Sequence, residues 1–594
     1  MKRIIFLPLL TALCLSAAAR LDAQLFSVPK QLPAASARLE DAFRRLGPEQ
    51  RLPVLVYFTD KQVFSDGQFR AALALRRSQL SARALQRRAK CGSGGITFLD
   101  LPVSSSYIDQ VRALGATLRQ RLNWFNAASF EMTAAQAQAA AQLGCVQRLD
   151  LVARWRAAPA PQQRPEPETP SATPAKAHLL NYGPSYWQLH QINVDVCHDS
   201  GYSGSGVLVA MFDNGFRKGH HAFDSIRATG RLVDQWDFVS GQPLVDSASH
   251  GTGTWSEAGG YVPGKLIGPA YKAIWAIYHT EDNNQEMPVE EDHWAAALQR
   301  ADSVGADVVS SSLGYFDFDS TQYSYTYADM DGNTAISTIA ARHAAALGIV
   351  VCNAMGNSGP AIGTIIAPAD ADSIISVGAV DSLGVIADFS SRGPTYDGRR
   401  KPEVCAKGVS DYWASWTGIS SYSSGGTGTS CSTPLVAGSC ALVIQAHPAW
   451  TPLQVRQALM MTASKHANPD SSTYGGGIID VWAAIHYDTS AAGVGGLSRP
   501  AAGRFFVVRA YPNPASGAAT ISLTLPRAGL VTASLYDAAG RCMRTLPAVA
   551  MTAGSNRLCW DGRDQTGRPA AAGVYFCRIS APGGSAVARI VMVR

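Results

Sequence analysis

Cysteine is sparse in this chain, 11 in 594 residues, and its placement dictates no disulfide framework. There is no CxxC and no HExxH, which leaves zinc chemistry without support. Charged residues make up only 16% of the chain against 46% hydrophobic, a balance of folded globular parts rather than disorder. Beyond the N-terminus no apolar run approaches the roughly 20 residues that a membrane span needs. Acidic residues are short in one place. Residues 24–160 hold 19 Lys and Arg against 9 Asp and Glu, an excess of ten positive charges in a chain whose net charge is +6. No aromatic or base-reading motif accompanies that excess, so nucleic acid is not an expected partner. A basic segment of this kind is expected to face a neutral to acidic partner within the same chain.

The N-terminus MKRIIFLPLLTALCLSAAARLDAQ pairs Lys2 and Arg3 with a short apolar core and small residues ending at Ala23. Residues 1–23 therefore read as a secretory signal peptide, with Ala19 as an alternative cut, and the mature chain as extracellular, secreted or attached to the cell surface. Residues 24–157 read as a small α+β domain: a strand at 54–58, one long helix at 68–89, and further helices near 107–114 and 133–143. Residues 158–178 are a Pro- and Ala-rich linker that cannot pack and is open to cleavage. From 179 to 490, continuous apolar strands alternate with helices, which predicts an α/β domain with a parallel sheet covered on both faces. After a Gly- and Ser-rich join at 491–504, residues 505–594 carry short strands separated by Gly, Asn, Pro and Asp, the pattern of an Ig-like β-sandwich.

Polar residues at the carboxyl ends of parallel strands rank first as candidates for chemistry. Asp213 ends the strand VLVAMF, and Asn357 follows the strand IVVCNAM. His250 lies in SHGTGT, where Gly251 and Gly253 allow close backbone approach. Ser430 lies in GTSCSTPLVAG, where a loop feeds a helix with Pro434 in its first turn. Each alone has an ordinary structural reading, as a turn residue, a cap or a structural histidine. Together they offer a nucleophile, a base, an orienting carboxylate and an oxyanion donor, in the chain order Asp, His, Ser. GTSCS lacks the last glycine of GxSxG, which argues against an esterase of the α/β-hydrolase type.

DNG at 213–215, HGT at 250–252, SSLG at 311–314, AMGNSG at 354–359, FSSRGP at 389–394 and GTSCSTPLVAG at 428–438 fall in one order, and with them the segment resembles a subtilisin-family serine peptidase. That resemblance implies Ser430 as nucleophile, His250 as general base and acid, Asp213 as its orienter and Asn357 as side-chain donor of the oxyanion hole. It also implies that the backbone of Ser312, Leu313 and Gly314 binds an extended protein or peptide substrate. Three positions depart from the usual pattern: Asn214 after the aspartate, Cys431 after the nucleophile, and Glu403 in KPEV. By the same resemblance residues 24–157 are an inhibitory and chaperoning prodomain, with self-cleavage between about 155 and 180. No cofactor is required for the chemistry; calcium is common in the family, but no ligand spacing here marks a site. YPNPA at 511–515 and WDGRD…GVYF at 560–576 look like a C-terminal sorting domain of the type IX route, implying outer-membrane secretion machinery as a partner. A reading of a different class is a catalytically inactive subtilisin-like module used for binding or adhesion.

Overall fold

The computed structural model describes residues 30–592 except 32–33, 93–94, 153, 156–177, 244–245, 248, 282–288, 316–324, 489–505, 512–514, 516, 526–528, 538–540, 552–553 and 582–583. The expected signal peptide and nearly all of the linker lie outside the described residues. The chain divides into two compact units, Met1–Tyr487 and Asp488–Arg594.

The first unit opens with a four-stranded antiparallel sheet in the order β2-β3-β1-β4, from β1 Leu52–Phe58, β2 Thr117–Leu122, β3 Ala127–Met132 and β4 Val146–Leu151. Val54, Val56, Phe130 and Leu149 point into a core shared with the helix Ser105–Arg112, which contributes Ile108 and Val111. One expectation is corrected here. The run read as a single helix at 68–89 is two, Asp66–Gln79 and Ala82–Lys90, because Ser81 takes an extended conformation and its side chain accepts the amide of Ala84 as an N-cap. A two-residue strand, β5 Arg154–Trp155, follows.

The larger part of the unit is a seven-stranded, all-parallel sheet in the order β15-β14-β13-β12-β6-β10-β7. Its strands are β6 Leu208–Asp213, β7 Leu232–Asp237, β10 Ile274–His279, β12 Val308–Ser311, β13 Val350–Ala354, β14 Ile375–Val380 and β15 Val404–Lys407. Short pairs β8 Tyr261–Val262 with β9 Leu266–Ile267, and β11 Val289–Glu290 with β5, complete the numbering to that point. Along β6, Val209 and Met211 face one core and Leu208, Ala210 and Phe212 the other, so every residue of the strand is buried. On the first face lies the helix Thr429–Ala446, buried in all but its last two residues. It is long and apolar enough to cross a membrane, yet here it is the core helix of the sheet. The second face carries the helices Glu291–Val304 and Ile336–Ala346. β6 sits where strand order reverses, with β10 on one side and β12 on the other, and an open parallel sheet forms its cleft at such a point.

The second unit has two antiparallel sheets that share one core containing Ile521, Leu523, Trp560, Leu535, Cys577 and Ile579. Three strands run in the order 506–511, 519–525, 554–560, and four in the order 542–551, 529–537, 573–581, 584–592. Two of these seven strands, Phe506–Tyr511 and Cys542–Met551, are additions to those read from the sequence. The second is a sheet edge, where its Pro547 is tolerated.

Candidate functional site

Asp213 is the last residue of β6 and is fully buried. A carboxylate in that position needs partners, and it has three. Its Oδ1 lies 2.9 Å from His250 Nδ1 and accepts the amide of Asn214 at 2.9 Å, while its Oδ2 accepts the hydroxyl of Thr254 at 2.8 Å. His250 begins the helix His250–Gly259, and Thr254 stands one turn later on the same face. The glycines of HGTG are required by contact. A Cβ on Gly251 would stand 2.7 Å from Asp213 Cβ and 2.4 Å from the Gly215 carbonyl, and one on Gly253 would stand 2.4 Å from the ring of Trp413. Trp413 presents its ring edge-on to His250 at 5.8 Å. Burial pulls the His250 pKa down, but the charge of Asp213 and its hydrogen bond outweigh that and hold it above the ordinary histidine value.

Ser430 is the second residue of its helix, where a backbone N–H has no helical carbonyl to reach. Gly428 before it adopts φ +142°, and a Cβ there would lie 2.9 Å from Ser430 Oγ and 3.3 Å from Asn357 Nδ2. Hydroxyl and amide thus border the same small space. Asn357 is oriented by its oxygen, which accepts from the Thr429 amide at 2.9 Å and the Thr429 hydroxyl at 3.0 Å, so that Nδ2 faces that space. Pro434 is interior to the helix Thr429–Ala446 rather than in its first turn, a correction with a structural consequence. Lacking an N–H, it leaves the Ser430 carbonyl four residues back without a helical donor, and Ser312 Oγ donates to that carbonyl at 2.9 Å. Among the described residues no hydrogen bond joins His250 to Ser430, a contact that commonly tightens only with substrate in place.

Ser312, Leu313 and Gly314 follow β12 directly. The Leu313 carbonyl accepts from Asn353 Nδ2 at 2.9 Å, and a Cβ on Gly314 would stand 2.1 Å from Ile366 Cδ1. Ile366 also packs 3.0 Å from where a Cβ on Gly356 would be, so one side chain closes the space between two segments that the sequence suggested separately. Of the three departures, Asn214 receives the Ser249 hydroxyl through its side chain and steadies the residue before His250. Glu403 is a buried ion-pair centre, bonded to Lys401, Arg456 and Ser376. Cys431 is buried, and burial together with the nearby Glu257 and Asp411 lifts its thiol pKa well above the ordinary range.

Sequence reasoning missed the partners of the basic segment. β5 pairs antiparallel with β11, the edge strand just before the helix Glu291–Val304. The helix Ala82–Lys90 drives Arg87 and Arg88, both almost fully buried, onto Asp302 near the end of the helix Glu291–Val304. Arg87 also donates to the carbonyls of Ala306 at 2.7 Å and Leu347 at 3.2 Å, and so meets the carboxyl ends of both helices on that face of the sheet. Arg119 reaches Asp292 at 3.1 Å, and Arg83 pairs with Asp307. The expected facing of a basic segment toward acidic groups of the same chain is thereby realised residue by residue.

A buried carboxylate holding an imidazole, a serine at a helix start and an amide beside it are the components of acyl transfer. Comparison with known proteins gives the same class. A model of the subtilase family matches residues 204–477, and one of the peptidase S8 propeptide domain of Bacteroidota matches 53–168. Subtilisin of Bacillus pumilus is 33% identical over 308 residues, covering 50% of this chain and 97% of that protein. The chain belongs to the subtilase family. Subtilisin E of Bacillus subtilis (strain 168) is likewise 33% identical over 308 residues, with 70% of its length covered, and serine protease AprX of the same species is 29% identical over 323 residues, with 66% covered. This subtilase is a serine-type endopeptidase, built with a propeptide as a zymogen is. Its C-terminal region, residues 513–585, matches a FlgD Ig-like domain model.

Proposed function

We propose that this subtilase cleaves proteins outside the cell through an acyl-enzyme on Ser430. In this reading His250 takes the serine proton and returns it to the leaving amine, Asp213 orients the imidazole, and Asn357 Nδ2 with the Ser430 N–H receives the oxyanion. The supporting observation is the junction at Gly428, where Ser430 Oγ and Asn357 Nδ2 lie within 3.3 Å of a single point while the His250–Asp213 pair is already formed. The backbone of Ser312–Gly314 and the β11 edge then flank an extended substrate, and β5 occupies that edge as part of an inhibitory prodomain. The signal sequence and the type IX resemblance of the C-terminal domain supply the extracellular or cell-surface location. The chemistry calls for no cofactor.

Purified full-length protein is expected to shorten to a form beginning between about 155 and 180 and to hydrolyse casein, both blocked by a serine-directed fluorophosphonate. A folded precursor that neither shortens nor cuts casein would instead support a binding module.

Two further results are expected. Asn357→Leu removes one oxyanion donor and lowers kcat about 10²- to 10³-fold with little change in KM; an equal loss confined to KM would place Asn357 in ground-state binding. The base must be neutral to act. Because the His250 pKa is raised, activity is lost as pH falls through a value above about 6.5, the ordinary histidine figure. A kcat/KM profile on a peptide substrate with its acid limb centred at or below that value would contradict the pairing with Asp213.

A further inference from the structure

The last residue of the linker, His178, belongs to a cluster that the peptidase chemistry does not use. Its Nδ1 lies 2.8 Å from Asp199 Oδ2, and its Nε2 lies 3.2 Å from Asp195 Oδ2. The same Asp195 oxygen is 2.6 Å from His190 Nδ1. Asp195 is fully buried, His178 nearly so, and His190 is 41% exposed and stacked on Tyr186. Both ring nitrogens of His178 thus face carboxylate oxygens, and a single Asp195 oxygen faces two imidazoles.

We propose that His178, His190 and Asp195 bind a divalent metal ion of the zinc class. Ligand atoms from all three residues lie within 4.8 Å of one another. Two imidazoles and one carboxylate suit zinc, and three protein ligands leave a position for water on the exposed His190 side. For ligand bonds of about 2.0–2.2 Å a tetrahedral edge is roughly 3.3 Å. The His178–Asp195 separation already matches that edge, and the half-exposed His190 has room to open its shorter one. Asp199 acts as the outer carboxylate that fixes the tautomer of a ligating histidine, and its other oxygen accepts the Leu179 amide at 2.9 Å. The ion would staple the start of the peptidase domain to the helix Val194–Asp199. If the proposed cleavage occurs in the linker, the staple holds the new N-terminus in place.

The test uses the untagged full-length Ser430→Ala chain, in which metal binding is read independently of proteolysis. Titration calorimetry with Zn²⁺ is expected to show one tight equivalent, and Co²⁺ a d–d absorption band of low-coordinate intensity. Asp199→Asn should weaken zinc binding about ten- to a hundredfold, and His178→Ala or His190→Ala by more than that and with loss of the cobalt band. Circular dichroism in EDTA checks that each variant is folded, with His190→Gln in place of the alanine if it is not. The proposal is overturned if no tight equivalent appears, as for two protonated imidazoles held by carboxylates alone. It is equally overturned if the equivalent persists unchanged in both histidine variants, which would place it elsewhere.

Discussion

Ser430→Ala is expected to lower kcat by about a million-fold, the scale on which loss of a triad nucleophile acts, and to leave the chain at precursor length. The two readouts have one cause, because the same hydroxyl would attack both substrate and linker. The substitution removes one oxygen from a residue whose carbonyl bond to Ser312 and place in the helix do not involve its side chain. Stability should therefore change little, and loss of activity would report chemistry rather than unfolding. If Ser430→Ala protein still matured and still cut casein, the nucleophile would be another residue.

The second large effect is expected at the prodomain contact. Asp302→Ala in a Ser430→Ala background leaves the Arg87 and Arg88 guanidiniums buried without their shared carboxylate, although Arg88 retains Asp100 at 2.7 Å. Removing one partner from a buried ion cluster costs about 3–5 kcal/mol, because the remaining charge is left uncompensated rather than because the pair itself is so stabilising. Urea unfolding of the full-length chain should show the loss as a lower midpoint or as earlier release of the N-terminal domain. An unchanged transition would mean that the cluster contributes nothing net. Loss of this contact should also raise proteolytic activity in the wild-type background before maturation is complete.

What was legible in the sequence was what local chemistry dictates. Asp213 and Ser430 each lie at the junction of an apolar run with a turn or a helix, and Gly251 and Gly253 beside His250 signalled close backbone approach before any contact was known. The parallel sheet followed from strands too apolar to have a wet face. What escaped was set by partners distant in the chain. Thr254 was one more helix residue until Asp213 Oδ2 met it, and Trp413 had no signal until Gly253 made room for its ring. Pro434 was misplaced because GTS resembles a turn, whereas the helix begins at Thr429 and tolerates the proline through the Ser312 bond. The break at Ser81 was hidden inside a run of good helix formers. That the basic segment faces acidic groups of the same chain was legible from its charge, but nothing local indicates that Asp302, more than 200 residues on, is the group that Arg87 and Arg88 meet. His178, His190 and Asp195 match no common metal-ligand spacing, and only the fold gathers them.

The most direct measurement is the position of a covalent adduct. Matured enzyme labelled with a fluorophosphonate, digested and mapped by mass spectrometry should carry one stoichiometric adduct, on Ser430, and His250→Ala protein of the same length should label far more slowly. An adduct on a different serine, or unlabelled Ser430 in a preparation that hydrolyses casein, would contradict the account.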